Sequence, residues 1–195
     1  MTRKPKPNAL SRRERQIMDI LYRLERASVG QLLLKLTTPG VPDIYQGDEL
    51  WRLSMVDPDN RRPVDFQERR DALAALDSGA PVDRTNIKLH VIRRALALRA
   101  HRPKPFAGAY NPLPADDRLC AFTRGDDEIL TVIALRENAS GATFELPSDA
   151  AGEWRNVLTD SGASDDRPLA MLGDRVSFDQ VRFGAWPVAL FERVD

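Results

Sequence analysis

Glu49, Asp57 and Asp59 share one short stretch with Tyr45, Trp51, Asn60, Arg61 and Arg62. This is the part of the chain best equipped for chemistry on a hydroxyl-rich ligand. Aromatic faces stack on pyranose rings, and the carboxylates, amide and guanidinium groups match sugar hydroxyls as acceptors and donors. Breaking a glycosidic bond with retention needs more: a nucleophilic carboxylate and a carboxylic acid about 5–5.5 Å apart. Nothing in the spacing of these acids predicts such a pair, so they are candidate ligand contacts and no catalytic residue is assigned. A DPDN turn followed by arginines is also an ordinary surface loop held by local salt bridges, and composition alone does not choose between the two.

The elements that must carry this stretch are legible on both sides of it. Upstream, Ser11-Arg12-Arg13-Glu14 forms a capping box, and Ile17, Ile20, Leu21 and Leu24 follow at helical spacing, which predicts a helix over about 11–25. Ser28 to Gln31 offers a second box that opens a short helix through Leu36, ended by Pro39-Gly40. Val41 to Tyr45 reads as a short buried strand, and Gly40, Pro42 and Gly47 set a tight path around it. Residues 46–66 read as loop and Gln67 to Leu76 as helix. Asn86 to Ala100 is a helix with an apolar stripe of Ile87, Val91, Ile92, Ala95, Leu96 and Leu98, stopped by Pro103. Beyond Pro105 come short β-like runs: Leu119–Thr123, Glu128–Leu135, Ala142–Leu146, Trp154–Leu158, Arg175–Phe178 and Trp186–Arg193. Gly125-Asp126-Asp127 is a hairpin turn between the first two. Such runs imply an antiparallel β-sandwich, with Trp154 and Trp186 in its core rather than on a sugar platform.

The 195 residues carry 29 basic and 29 acidic side chains, so the net charge points to neither nucleic acid nor an anionic membrane. The distribution is uneven: before Gly30, eight Lys or Arg stand against three acids. Such an arm can neutralise phosphates or simply be solvated. The single Cys120 excludes an internal disulfide and lies in an apolar run, as a buried strand thiol would. His90 and His101 show no ligand spacing. No cofactor is expected. No apolar run approaches the length of a membrane span and no secretory signal is present, so the expectation is a cytoplasmic protein without membrane contact. Oligomeric state is left open.

The segment PGVPDIYQGDE followed by DPDNRRPVDF resembles the eighth strand and following loop of the α-amylase superfamily barrel, glycoside hydrolase family 13. With LWRLSMVDPDNRRPVD, the helix KLHVIRRALALRAHRPKPF and the final WPVALFERV, it is similar over residues 31–195 to the carboxyl-terminal part of the maltooligosyltrehalose synthase family. The resemblance implies an isomerase of trehalose biosynthesis that turns the reducing-end α-1,4 linkage of a maltooligosaccharide into an α,α-1,1 linkage. It implies substrate contacts at Tyr45, Glu49, Trp51, Asp57, Asp59, Asn60, Arg61 and Arg62. The family's catalytic carboxylates come from earlier barrel strands, which have no counterpart here. The chain is therefore expected to be a truncated form, inactive alone. The implied fold is α+β: amino-terminal helices and a remnant of a (β/α)8 barrel (last strand, loop and helix), then the antiparallel β-sandwich. The implied divisions are 1–30, 31–104 and 105–195.

Residues 9–29, ALSRRERQIMDILYRLERASV, resemble the first helices of the BlaI/MecI winged-helix repressors. That resemblance implies a second function class, a DNA-binding regulator with Arg12, Arg13 and Arg15 on phosphates. Phosphate contacts position without reading sequence, so weak non-specific binding is the expectation. A third class is a non-catalytic carbohydrate-binding β-module.

Overall fold

The computed structural model describes residues 29–51, 63–136, 138–159 and 169–194. The expected helix over 11–25 and the segment 52–62 lie outside these residues. Helix α1 covers residues 29–37. Its end follows from local chemistry. Thr37 and Thr38 donate their hydroxyls back to the Leu33 and Leu34 carbonyls, at 2.7 and 2.8 Å. Gly40 then takes a φ of 118°, a conformation open to glycine. Helix α2 (Phe66–Asp77) is started by Asp65, whose carboxylate accepts from the Gln67 and Glu68 amides at 2.9 and 3.0 Å. Helix α3 (Ile87–His101) breaks at Arg102, and Pro103 opens the short α4 (Pro103–Ala107) instead of ending helical structure.

The strands are β1 (Tyr110–Pro112), β2 (Leu119–Arg124), β3 (Ile129–Ala134), β4 (Thr143–Glu145), β5 (Gly152–Asn156), β6 (Leu169–Leu172), β7 (Arg175–Ser177) and, after the single turn α5 (Phe178–Val181), β8 (Val188–Arg193). Each expected run contains a strand, and β1 and β6 are additional. The β2–β3 hairpin turns through Gly125 and Asp127, both at positive φ. Six strands form an antiparallel sheet in the order β1-β2-β3-β8-β5-β6, while β4 and β7 pair separately.

The layers differ from the expected sandwich, because the second sheet has only two strands. The ribbon β4–β7 with α5 covers one face of the large sheet. Leu130, Val132, Trp154, Ala189 and Phe191 meet Phe144, Val176 and Phe178 there. The other face is covered by helices. Ile129, Ile133, Val188 and Leu190 pack against Leu33 and Leu36 of α1 and Ile87, Val91 and Leu98 of α3. Alternate residues of β3 and β8 thus enter different cores, and both strands are buried nearly throughout. The sheet's second face is therefore closed by α1 and α3 and not by a second full sheet, as the expected sandwich would have it. The contact is close, since a Cβ on Gly30 would stand 2.8 Å from the Ile133 side chain.

Two further expectations are corrected. Residues 41–45 form no strand; Val41 is 94% exposed and Tyr45 59%. A barrel strand is stabilised by hydrogen-bonded neighbours on each side, and this segment has none within the described fold. Leu96 faces outward, while Lys88, Leu89 and His90 join the buried surface of α3. That helix is enclosed on more than one side, so its buried arc exceeds a single stripe. Trp154 is fully buried as expected, and Trp186 packs at the edge of the helix-covered core. Cys120 is only half-buried on β2, and burial pushes its thiol pKa up.

Candidate functional site

The loop that leaves α1 turns back on itself at Tyr45, whose carbonyl accepts from the Asp48 amide at 3.0 Å. Between this loop, α1 and α3 lies an open cleft of about 220 Å³. Gln31, Leu32 and Lys35 line it from α1, Asp43, Ile44, Tyr45 and Asp48 from the loop, and Lys88 from α3. The mixture is amphipathic: an exposed phenol ring and apolar edges beside two acids and two ammonium groups. A hydroxyl-rich ligand could find both a stacking face and hydrogen-bond partners in it. The cleft is open to solvent, so it does not provide the enclosed, water-poor surroundings that acid–base work on a glycosidic bond uses.

The three described sequence candidates divide. Tyr45 is at the cleft and free to contact a ligand. Glu49 does not line it; its carboxylate meets Arg69 Nε at 3.2 Å. Trp51 is also engaged, since its indole N–H donates to the Arg84 carbonyl and the Lys88 ammonium lies 5.0 Å from its ring centroid. Both residues therefore hold the loop in place. Asp57, Asp59, Asn60, Arg61 and Arg62 lie outside the described residues, as do Arg12, Arg13 and Arg15.

Lys88 and Arg69 were not singled out by sequence reasoning. Lys88 is buried in the first turns of α3, and its ammonium reaches toward the Leu50 carbonyl at 3.4 Å. Burial lowers its pKa, with the carboxylates of Asp48 and Glu49 opposing the shift. A lysine inside the apolar run of NIKLHVIRR was the available signal. Gln31 and Lys35, four residues apart on α1, share a helix face. His90 on α3 is buried against Phe183, ring centroids 5.4 Å apart, with Nε2 2.6 Å from the Leu158 carbonyl, which is a structural role.

No family model matches the chain. The described fold, mixed helices and antiparallel sheet, is similar to part of several larger sugar-acting enzymes. It superposes on the α-amylase of Geobacillus thermoleovorans, solved with acarbose, with a TM-score of 0.56 over 86% of this chain and 33% of that one, at 20% identity. That likeness concerns fold alone. Over about three quarters of its length the sequence is homologous to maltooligosyltrehalose synthase. Proteins of Mycobacterium tuberculosis named as maltooligosyl trehalose synthase are 42% identical over 155 residues, covering 76% of this chain and 19% of their own length. The solved maltooligosyltrehalose synthase of Arthrobacter ramosus aligns at a TM-score of 0.73 and 32% identity, over 92% of this chain and 23% of that one. The chain thus spans about a fifth of the length of the curated relatives it matches. No helix among the described residues is long and apolar enough to cross a membrane.

Proposed function

We propose that this chain supplies the carboxyl-terminal, substrate-shaping part of a maltooligosyltrehalose synthase, with a maltooligosaccharide as its ligand. The homology just described carries this reading. Residues 31–104 form the remnant of the barrel and the loop that meets sugar; residues 105–195 form the β-domain that supports it. Tyr45 offers the stacking face, and the acids and arginines of 52–62 add hydrogen bonds. The chain alone does not isomerise the reducing-end linkage to α,α-1,1, since the described cleft is open and has no enclosed pair of carboxylates.

Two measurements test this together. The purified chain, given maltopentaose, is expected to release no trehalose-ended product. A chimera of the Arthrobacter ramosus enzyme with residues 31–195 in place of its matching region is expected to retain activity. A folded but inactive chimera, or turnover by the chain alone, would defeat the reading.

For residues 9–29 we propose only non-specific phosphate contact through Arg12, Arg13 and Arg15. Duplex binding should be weak, equal on unrelated sequences and lost as salt rises. Selective binding to one operator would instead support a repressor-like regulator.

A further inference from the structure

Two ammonium groups line the cleft, and they are not alike: Lys35 is exposed, whereas only 8% of Lys88 meets solvent. An ammonium carries three donors. Among the described residues, the hydrogen bond that Lys88 makes is to the Leu50 carbonyl at 3.4 Å, long for a charged donor. The Trp51 ring, its centroid 5.0 Å away, attracts the charge through its face. Glu49 is not available to it, because Arg69 takes that carboxylate at 3.2 Å while holding the Gly47 carbonyl at 2.7 Å. Asp48, which also lines the cleft, acts on Lys88 through space. A buried charge with so few partners works against the fold. Groups of this kind persist where a ligand supplies the missing partners.

The rest of the lining says which ligand. Two acids balance two ammonium groups, so the cleft favours neither an anion nor a cation. Tyr45, 59% exposed, offers a flat ring. The volume of about 220 Å³ is below the roughly 300–1,000 Å³ of clefts that hold larger ligands, and suits a single ring. A sugar hydroxyl can accept from an ammonium and donate to a carboxylate at once. We propose that Lys88 is the buried hydrogen-bond donor of a site for one neutral pyranose unit, with Asp48 accepting from a hydroxyl and Tyr45 against the ring. This rests on the maltooligosaccharide reading, and it names the unit bound and the groups that hold it.

The test titrates maltopentaose by calorimetry into the full chain and into Lys88→Met, Asp48→Asn and Tyr45→Ala, with thermal midpoints recorded for each. Methionine keeps the apolar stem of Lys88 and removes its charge. It should weaken binding about tenfold or more, the loss expected for a hydrogen bond from a charged donor. Its thermal midpoint should stay the same or rise, because an under-partnered buried charge has gone. A lysine kept only to anchor the loop through Leu50 would instead lower the midpoint. Asp48→Asn, at an exposed position, should weaken binding and leave the midpoint as it was. Binding by Lys88→Met within about twofold of the unaltered chain, while Tyr45→Ala loses it, overturns the proposal and leaves the sugar reading standing. A lowered midpoint in Lys88→Met also overturns it, since the lysine then serves the fold. Absence of maltopentaose binding by the unaltered chain defeats the sugar reading, and this proposal falls with it.

Discussion

Arg124→Ala is expected to destabilise the fold by about 4 kcal/mol, measured by urea denaturation followed by far-UV circular dichroism. Arg124 is 1% exposed at the end of β2. Its guanidinium donates to the carbonyls of Thr37, Phe106, Gly108 and Ala109, with 2.8 Å to Thr37. It thereby joins the end of α1 and the end of α4 to the sheet. Alanine removes these donors at once, and each carbonyl left buried without one costs about 1–3 kcal/mol. Ala109 retains the Gly125 amide at 3.0 Å, so it contributes least. Phe106 also loses one of its flanking cations; Arg124 and Arg99 lie 5.9 and 4.7 Å from its ring centroid. Arg99 holds the same region, with Nη1 on the Leu36 carbonyl at 2.9 Å and Nη2 on the Gly40 carbonyl at 3.0 Å. Part of α1 therefore stays anchored, and the cost stops short of unfolding a domain of ordinary stability. Arg124→Lys should recover less than half of the loss, as one ammonium reaches fewer of the carbonyls. A shift below about 1 kcal/mol with an unchanged denaturant slope would show that water can replace the guanidinium.

The second large effect is expected at Trp154, whose replacement by alanine should also cost about 4 kcal/mol. The residue is fully buried on β5, opposite Ala170 and Arg193 in the neighbouring strands. It belongs to the core between the large sheet and the β4–β7 ribbon, with Phe144, Val176, Phe178 and Phe191. Its indole donates to the Ala150 carbonyl at 3.0 Å, so its polar edge is satisfied as well. Trp154→Phe keeps much of the volume and loses that bond, and about 2 kcal/mol is expected. The comparison separates packing from hydrogen bonding. A tryptophan serving as a sugar platform would behave in the opposite way, with maltopentaose affinity lost and stability hardly altered.

Helix α3 and the central strands were readable because their signal is local. A 3.6-residue stripe ended by proline, and apolar runs divided by glycine and aspartate, identify element types without reference to distant residues. The core position of Trp154 and the turn at Gly125–Asp127 followed in the same way. The two-layer asymmetry did not. Strands β3 and β8 are apolar at successive positions because both faces are covered, and the pattern does not say whether helix or sheet provides each cover. Helix α3 misled in a related manner: enclosure on several sides buried Lys88 and His90, which a one-face stripe assigns to solvent.

At the candidate site the division is sharper. The residue types for sugar contact, and the family they resemble, were visible in the linear order of 38–65. Their roles were not. Trp51 and Glu49 carry side chains suited to a ligand, yet the fold engages them with Arg84, Lys88 and Arg69. Val41–Tyr45 has a strand's composition yet forms no strand, because a strand is a relation between segments and no partner segment lies beside it among the described residues. Residue chemistry is a property of the chain and can be read in order along it. Whether a given group faces a ligand or a neighbour depends on contacts between residues distant in sequence, such as Gly47 with Arg69 or Trp51 with Arg84, which form when the helices close on the loop.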